Sequence, residues 1–219
     1  MLTEAACTAA LKMEPLHPVE VRVLGALLEK DLATPEYYPL TLNSLQNACN
    51  QKSSREPVVN FDAETVQQGL NLLQNKGLVM HVTGAGHRAE KYGHRLGEKL
   101  NLGRRELALL CVLMLRGPQT VGELRGRTER MHDFADMEEV EHVLNSLADR
   151  DEALVAPVAR GRWVQLLGGR PDFAAEPESV PVIASRSAQE GVLEARVAAL
   201  EEEVENLKRE FENFRRQFQ

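Results

Sequence analysis

One pattern occurs twice in this chain. Val66-x-x-x-Leu70-Asn71-x-Leu73 leads into Gly77-Leu78-Val79, and Val140-x-x-x-Leu144-Asn145-x-Leu147 leads into Leu154-Val155. Upstream, an apolar helical stretch with Glu20 and Leu24 is answered by one with Glu106 and Leu110. A threonine placed to cap a second helix follows in each copy, Thr41 and Thr120. The separation falls from 86 residues (Glu20 to Glu106) to 79 (Thr41 to Thr120) to 74 (Val66 to Val140), so loops differ in length while the helices keep their order. Such a repeat constrains architecture more than any single motif, because each copy must be one supersecondary unit.

Each unit reads as three helices and a short hairpin. In the first, Pro18 suits an opening helical turn, and Val19, Val23, Leu24, Leu27 and Leu28 form an apolar stripe. A second helix follows from Thr41 with Leu42, Leu45, Ala48 and Cys49 on one side. Asp62 is placed to cap a third, which ends at Lys76-Gly77. Leu78 to Val82 and Arg88 to Tyr92 are the expected hairpin strands. In the second unit, Leu102 opens the matching first helix and Arg116-Gly117-Pro118 stops it. Thr120-x-x-Glu123 and Asp136-x-x-Glu139 have capping-box spacing. The expected fold class is mainly α with small β-hairpins (α+β): two tandem winged-helix domains plus a C-terminal coiled-coil helix. The expected bounds are an extension over 1–15, domains over 16–95 and 96–168, a linker over 169–188 and a helix over 189–219.

Between the second and third helices of unit one lies a polar block, Asn50-Gln51-Lys52-Ser53-Ser54-Arg55-Glu56-Pro57, rich in groups that bond local backbone. Together with Thr34-Pro35-Glu36-x-Tyr38-Pro39-Leu40 and Asn43, it resembles the signature of the YceH-like family of bacterial paired winged-helix proteins. Leu115-Arg116-Gly117-Pro118-Gln119-Thr120-x-Gly122-Glu123-Leu124-Arg125 extends the likeness, which covers roughly residues 16 to 167 and the tail. The resemblance implies fold and class, and it brings no catalytic residue with it.

The outward side of the third helix in unit one carries Gln67, Gln68, Asn71, Gln74, Asn75 and Lys76. Gln and Asn can make bidentate contacts to adenine in a major groove, and His87, Arg88 and Lys91 on the wing could meet phosphates. A solvated helix face is the competing account. The corresponding helix of unit two carries Asp136, Glu138, Glu139 and Glu141, which oppose entry into a phosphate-walled groove but suit a helix N-terminus. Arg125, Arg127, Arg130, Arg160 and Arg162 are expected chiefly in ion pairs with these acids, and Trp163 as a core or hairpin aromatic.

Net charge is −7. Residues 19–92 hold 7 Lys/Arg against 8 Asp/Glu, and 93–167 hold 11 against 12, so neither unit has the basic excess that duplex binding usually requires. Two functions remain open. One is a dimeric, DNA-associated regulator. The other is a protein-interaction adaptor built on acidic tandem winged helices, as in chromosome-segregation-type proteins, with the polar block (Asn50, Gln51, Lys52, Arg55, Glu56) as a partner surface.

The tail points to a homodimer. Leu193, Val197, Leu200, Val204, Leu207 and Phe211 repeat at steps of four and three, with Val at a and Leu at d, the pattern of a parallel two-stranded coil. The flanking pairs Arg196–Glu201, Glu203–Lys208 and Glu210–Arg215 are opposite in sign.

No apolar run approaches a membrane span, no basic-then-apolar leader opens the chain, and the three cysteines (Cys7, Cys49, Cys111) form no C-x-x-C pair. A cytoplasmic location without membrane contact is expected. His81, His87 and His94 cluster near the first wing without a further ligand at metal spacing. Gly84-x-Gly86 precedes no helix, so it is not a phosphate loop. Neither metal, cofactor nor enzymatic activity is expected.

Overall fold

The computed structural model describes residues 14–82 and 90–169. In chain order these form α1 (Pro18–Ala33), β1 (Leu40–Thr41), α2 (Leu42–Cys49), α3 (Ala63–Asn75), β2 (Val79–Val82) and β3 (Lys91–His94). There follow α4 (Leu96–Leu100), α5 (Arg104–Arg116), β4 (Gln119–Thr120), α6 (Val121–Thr128), α7 (Met137–Ala148), β5 (Val155–Val158) and β6 (Arg162–Gln165). The protein is thus α+β, with seven α-helices and two small antiparallel sheets among the described residues. Helix, strand, helix, helix and hairpin recur in the same order in both halves. The sheets match too: β1-β3-β2 in the first, β4-β6-β5 in the second.

Helix starts follow side-chain chemistry. Thr41, Asp62 and Thr120 cap α2, α3 and α6 by accepting from backbone amides three residues on, and Glu123 completes a reciprocal box on α6. On α7 the box is only half made. Asp136 accepts from the Glu139 amide, but the Glu139 carboxylate reaches back to the Ala135 amide (2.9 Å) instead of to its own cap. On α1 the unforeseen cap is His17, whose amide donates to Glu20 (2.7 Å).

One hydrophobic core runs through both halves, and α1 packs on α5 at its centre. Both helices are buried on every side through their middle turns, at 20–28 in α1 and 107–115 in α5. The Cys111 thiol donates to the Gly25 carbonyl (3.5 Å) across a sequence separation of 86, which is the repeat offset itself. The contact joins two positions that the repeat makes equivalent. Gly25 makes the approach possible: a Cβ there would stand 3.0 Å from Leu115 Cδ2 and 3.2 Å from Met114 Cβ.

Two expected boundaries are displaced. α5 begins at Arg104, not Leu102, because α4 is closed by Asn101 in the left-handed region (φ 50°), and the Leu102 amide donates back to Gly97. The hairpin register is later than expected: Val79 faces His94, and Tyr92 pairs with both Leu40 and His81. Tyr92 is 2 % exposed, and the Tyr38 hydroxyl accepts from the His94 amide, which fixes β3 over 91–94. No helix among the described residues is long and apolar enough to cross a membrane.

Candidate functional site

The outer face of α3 is set by what its inner face buries. Val66, Leu70 and Leu73 are fully enclosed and Gly69 lies against Val19, so Gln68, Asn71 and Asn75 point outward, with Leu72 46 % exposed beside them. Gln67 is half-buried: it accepts from the Tyr92 hydroxyl (3.3 Å) and donates to Asn71 Oδ1 (2.9 Å), which orients the Asn71 amide. Gln74 is half-buried as well. Lys76 is turned inward, with its Nζ 2.8 Å from Glu20 Oε1, so it ties the end of α3 to the start of α1. His87 and Arg88 lie outside the described residues. On the second half, the outer face of α7 carries Met137, Glu138, Glu141 and His142.

The polar block is largely internal. Arg55 has a fully enclosed side chain that forks onto Glu29 (Nη1–Oε1 3.0 Å, Nη2–Oε2 2.6 Å). It also donates to the Ala48 carbonyl (2.8 Å), the Ser54 carbonyl (3.0 Å) and Gln51 Oε1 (3.0 Å). Arg22, 4 % exposed, donates to the carbonyls of Cys49 and Pro57. Asn50 both donates to the Phe61 carbonyl (2.7 Å) and accepts from its amide (2.8 Å). A loop without ladder partners must satisfy its carbonyls with side chains, and two buried guanidiniums do so here. Asn50, Gln51 and Arg55 are therefore scaffold, while Lys52 and Glu56 face outward.

In the second half, Arg125 does the equivalent work. It donates to the carbonyls of Phe134 (3.2 Å) and Ala135 (2.9 Å), so the ion pair expected for it is replaced by a grip on the segment before α7. Arg127 and Arg162 do pair with Glu123, at 3.4 and 3.3 Å. Trp163 packs partly buried against the core.

The two stretches that carry the family likeness meet in space. The Glu56 amide donates to the Leu115 carbonyl (2.8 Å), and Arg116 donates to the Ser54 hydroxyl. Beside this seam lies a cleft of about 700 Å³, walled by α1, the polar block, α5 and the end of α6. Burial lowers the Arg116 pKa from its usual value, and the neighbouring Arg127 charge lowers it further. Sequence reasoning placed the wall residues in motifs but had no signal that the two motifs face each other.

Residues 16–162 match the family described as "Protein of unknown function, DUF480". A UPF0502 protein of Solibacter usitatus is 54% identical over 191 residues, covering 84% of this chain and 91% of that protein. One from Citrifermentans bemidjiense is 55% identical over 165 residues (73% and 76%), and one from Opitutus terrae 50% over 192 (84% and 82%). The chain belongs to this family of uncharacterised bacterial proteins, which bears out the resemblance read from the polar block and the Leu115–Arg125 motif.

Proposed function

We propose that the protein is a tandem winged-helix, DNA-associated regulator in which only the first half touches the duplex. The observation that carries this is the contrast between the third helices. α3 presents Gln68, Asn71 and Asn75 with a single acid, Glu64, in its first turn, whereas α7 presents Glu138 and Glu141. Amide side chains along the outer face of such a helix suit adenine edges, and carboxylates in its first half repel phosphate. The repeated order of elements and strands supports the winged-helix assignment. With Lys76 committed to Glu20, phosphate contacts fall to Lys91 and the wing, so affinity is modest and pairing of two chains matters. The tail pattern from Leu193 to Phe211, outside the described residues, supplies that pairing in this proposal.

The test is selection from a randomised duplex pool at physiological salt, repeated with Gln68→Ala/Asn71→Ala. Enrichment of a motif that the double variant loses supports the proposal, and an unenriched pool refutes it. Sedimentation with and without residues 189–219 tests the pairing: a monomer in both cases removes it.

The exposed apolar side chains Tyr37 (73 %), Val58 (56 %) and Met137 (56 %) favour a second function, an adaptor that docks a protein partner without DNA. Specific retention of one protein, weakened by Met137→Glu, would favour it over the first.

A further inference from the structure

The chain carries a net charge of −7, yet one concave site on it is positive. The cleft between the halves is lined by Lys30, Lys52, Arg116, Arg127 and Arg130 against only Glu29 and Glu129. From outside the wall Arg55 pairs with Glu29 and Glu123 pairs with Arg127, and these two cancel, so the excess of three positive charges in the lining stands. Arg116 has no carboxylate partner among the described residues; its bond is to the neutral Ser54 hydroxyl. Holding like charges this close costs stability unless an anion compensates them.

The remaining wall is mixed, with Thr34, Gln51, Ser53 and Ser54 beside apolar groups. Val112 and Leu115 lie at the base of the cleft, 3 % and 2 % exposed, with Met131 beside them. A charged rim over a mixed wall, in about 700 Å³, suits a small organic ligand with an anionic end. A duplex, which is convex, would not enter such a cleft. Arginine forks match phosphate oxygens. A terminal phosphate carries about two negative charges, so an excess of this size calls for more than one phosphate.

We infer that the cleft between α1, the polar block and α5–α6 binds an organic polyphosphate of nucleotide size. Lys52, Arg127 and Arg130 take the phosphates at the rim, Arg116 anchors them from inside, and the organic part fills the rest of the cleft against Ala33, Thr34 and Gln51. The site is independent of the α3 face and stands whether or not that face reads DNA.

The experiment is calorimetric titration of the full chain at physiological ionic strength. The probes are ADP, ATP, GDP, GTP, pyrophosphate, inorganic phosphate, adenosine and a short random duplex. At least one nucleotide is expected to bind at least tenfold more tightly than inorganic phosphate and adenosine. Arg127→Ala, which gives up one partly exposed pair with Glu123, and Arg130→Ala should each weaken that binding at least tenfold, and loss of like charge should leave the apo melting temperature unchanged or slightly raised. Arg95→Ala, which removes an exposed pair with Glu98, should leave binding unchanged. No heat with any nucleotide overturns the inference. So does nucleotide binding that the two cleft variants do not weaken. Duplex binding that depends on Arg127 and Arg130 and is not displaced by nucleotide overturns it in favour of a nucleic-acid contact.

Discussion

Replacing Arg55 by alanine tests whether the polar block is scaffold or contact surface. The wild-type guanidinium is fully enclosed, forks onto Glu29 at 2.6 and 3.0 Å, and caps the carbonyls of Ala48 and Ser54. Truncation leaves the Glu29 carboxylate, 19% exposed, with only the looser Lys30 contact at 3.8 Å, and strips two carbonyls of the Arg55 donors. Removing one member of such a pair costs about 3–5 kcal/mol, a large share of the 5–15 kcal/mol typical of a whole domain. At roughly 2–4 °C per kcal/mol for a domain of this size, the melting temperature falls by about 10 °C. Arg55→Lys keeps the charge but not the fork and should lose about half as much. In the Glu29→Gln background the Arg55→Ala penalty shrinks, since no stranded charge remains. Urea unfolding followed by circular dichroism gives all three values. If Arg55→Ala stays within about 1 kcal/mol of wild type, the buried-pair reasoning fails and the block returns to being a surface.

The other expectations concern packing, caps and titration. Gly25→Val places its Cβ within 3.2 Å of Leu115 and Met114, with two methyls still to fit, and should cost about 2–3 kcal/mol in the same assay; a neutral result would mean that the two halves separate easily. Thr120→Ala removes the side-chain half of the α6 capping box, leaves the residue-120 amide on Glu123, and should cost about 1 kcal/mol, close to Thr41→Ala, which also loses one side-chain cap. Burial pushes the Cys49 thiol up to about 12 and the Cys111 thiol higher still. With Cys7→Ala, an aromatic disulfide reagent at neutral pH should therefore label nothing in the folded protein and both thiols in urea. The Thr65 hydroxyl and amide hold Asp62 below the ordinary carboxylate range, the Thr120 amide does so for Glu123, and the Ala135 amide for Glu139. Lowered folded values mean that this stabilisation is complete above the unfolded pKa, about 4, and is lost as pH falls through the folded ones. The urea midpoint should be flat from pH 7 to about 5 and fall below 4; a rise on acidification would contradict the assignment.

The caps, helix ends and repeat order were legible because they depend on residues three or four apart. Thr41, Asp62, Gly117 and Thr120 stand where that local chemistry places them. What escaped depends on distant partners. The strand register of β3 turns on the Tyr38 hydroxyl reaching His94 across 56 residues, which no alternation pattern encodes. Lys76 looks like a free cation on a helix face until Glu20, also 56 residues away, is seen beneath it. The backbone-bonding character of the polar block is legible, but its buried centre is not, because Arg55 is enclosed only by meeting Glu29, 26 residues away. The cleft was out of reach altogether, since its walls meet only when Ser54 finds Arg116, 62 residues on.

The contact of Cys111 with its own counterpart Gly25 has the geometry of a self-complementary dimer interface, here enclosed in a single polypeptide. Either half, cut free, would carry an uncovered apolar ridge shaped to fit itself and would recruit a twin. Covalent tethering removes that concentration dependence and frees the two outer surfaces to diverge, one toward amides and the other toward acids, without disturbing the seam that joins them.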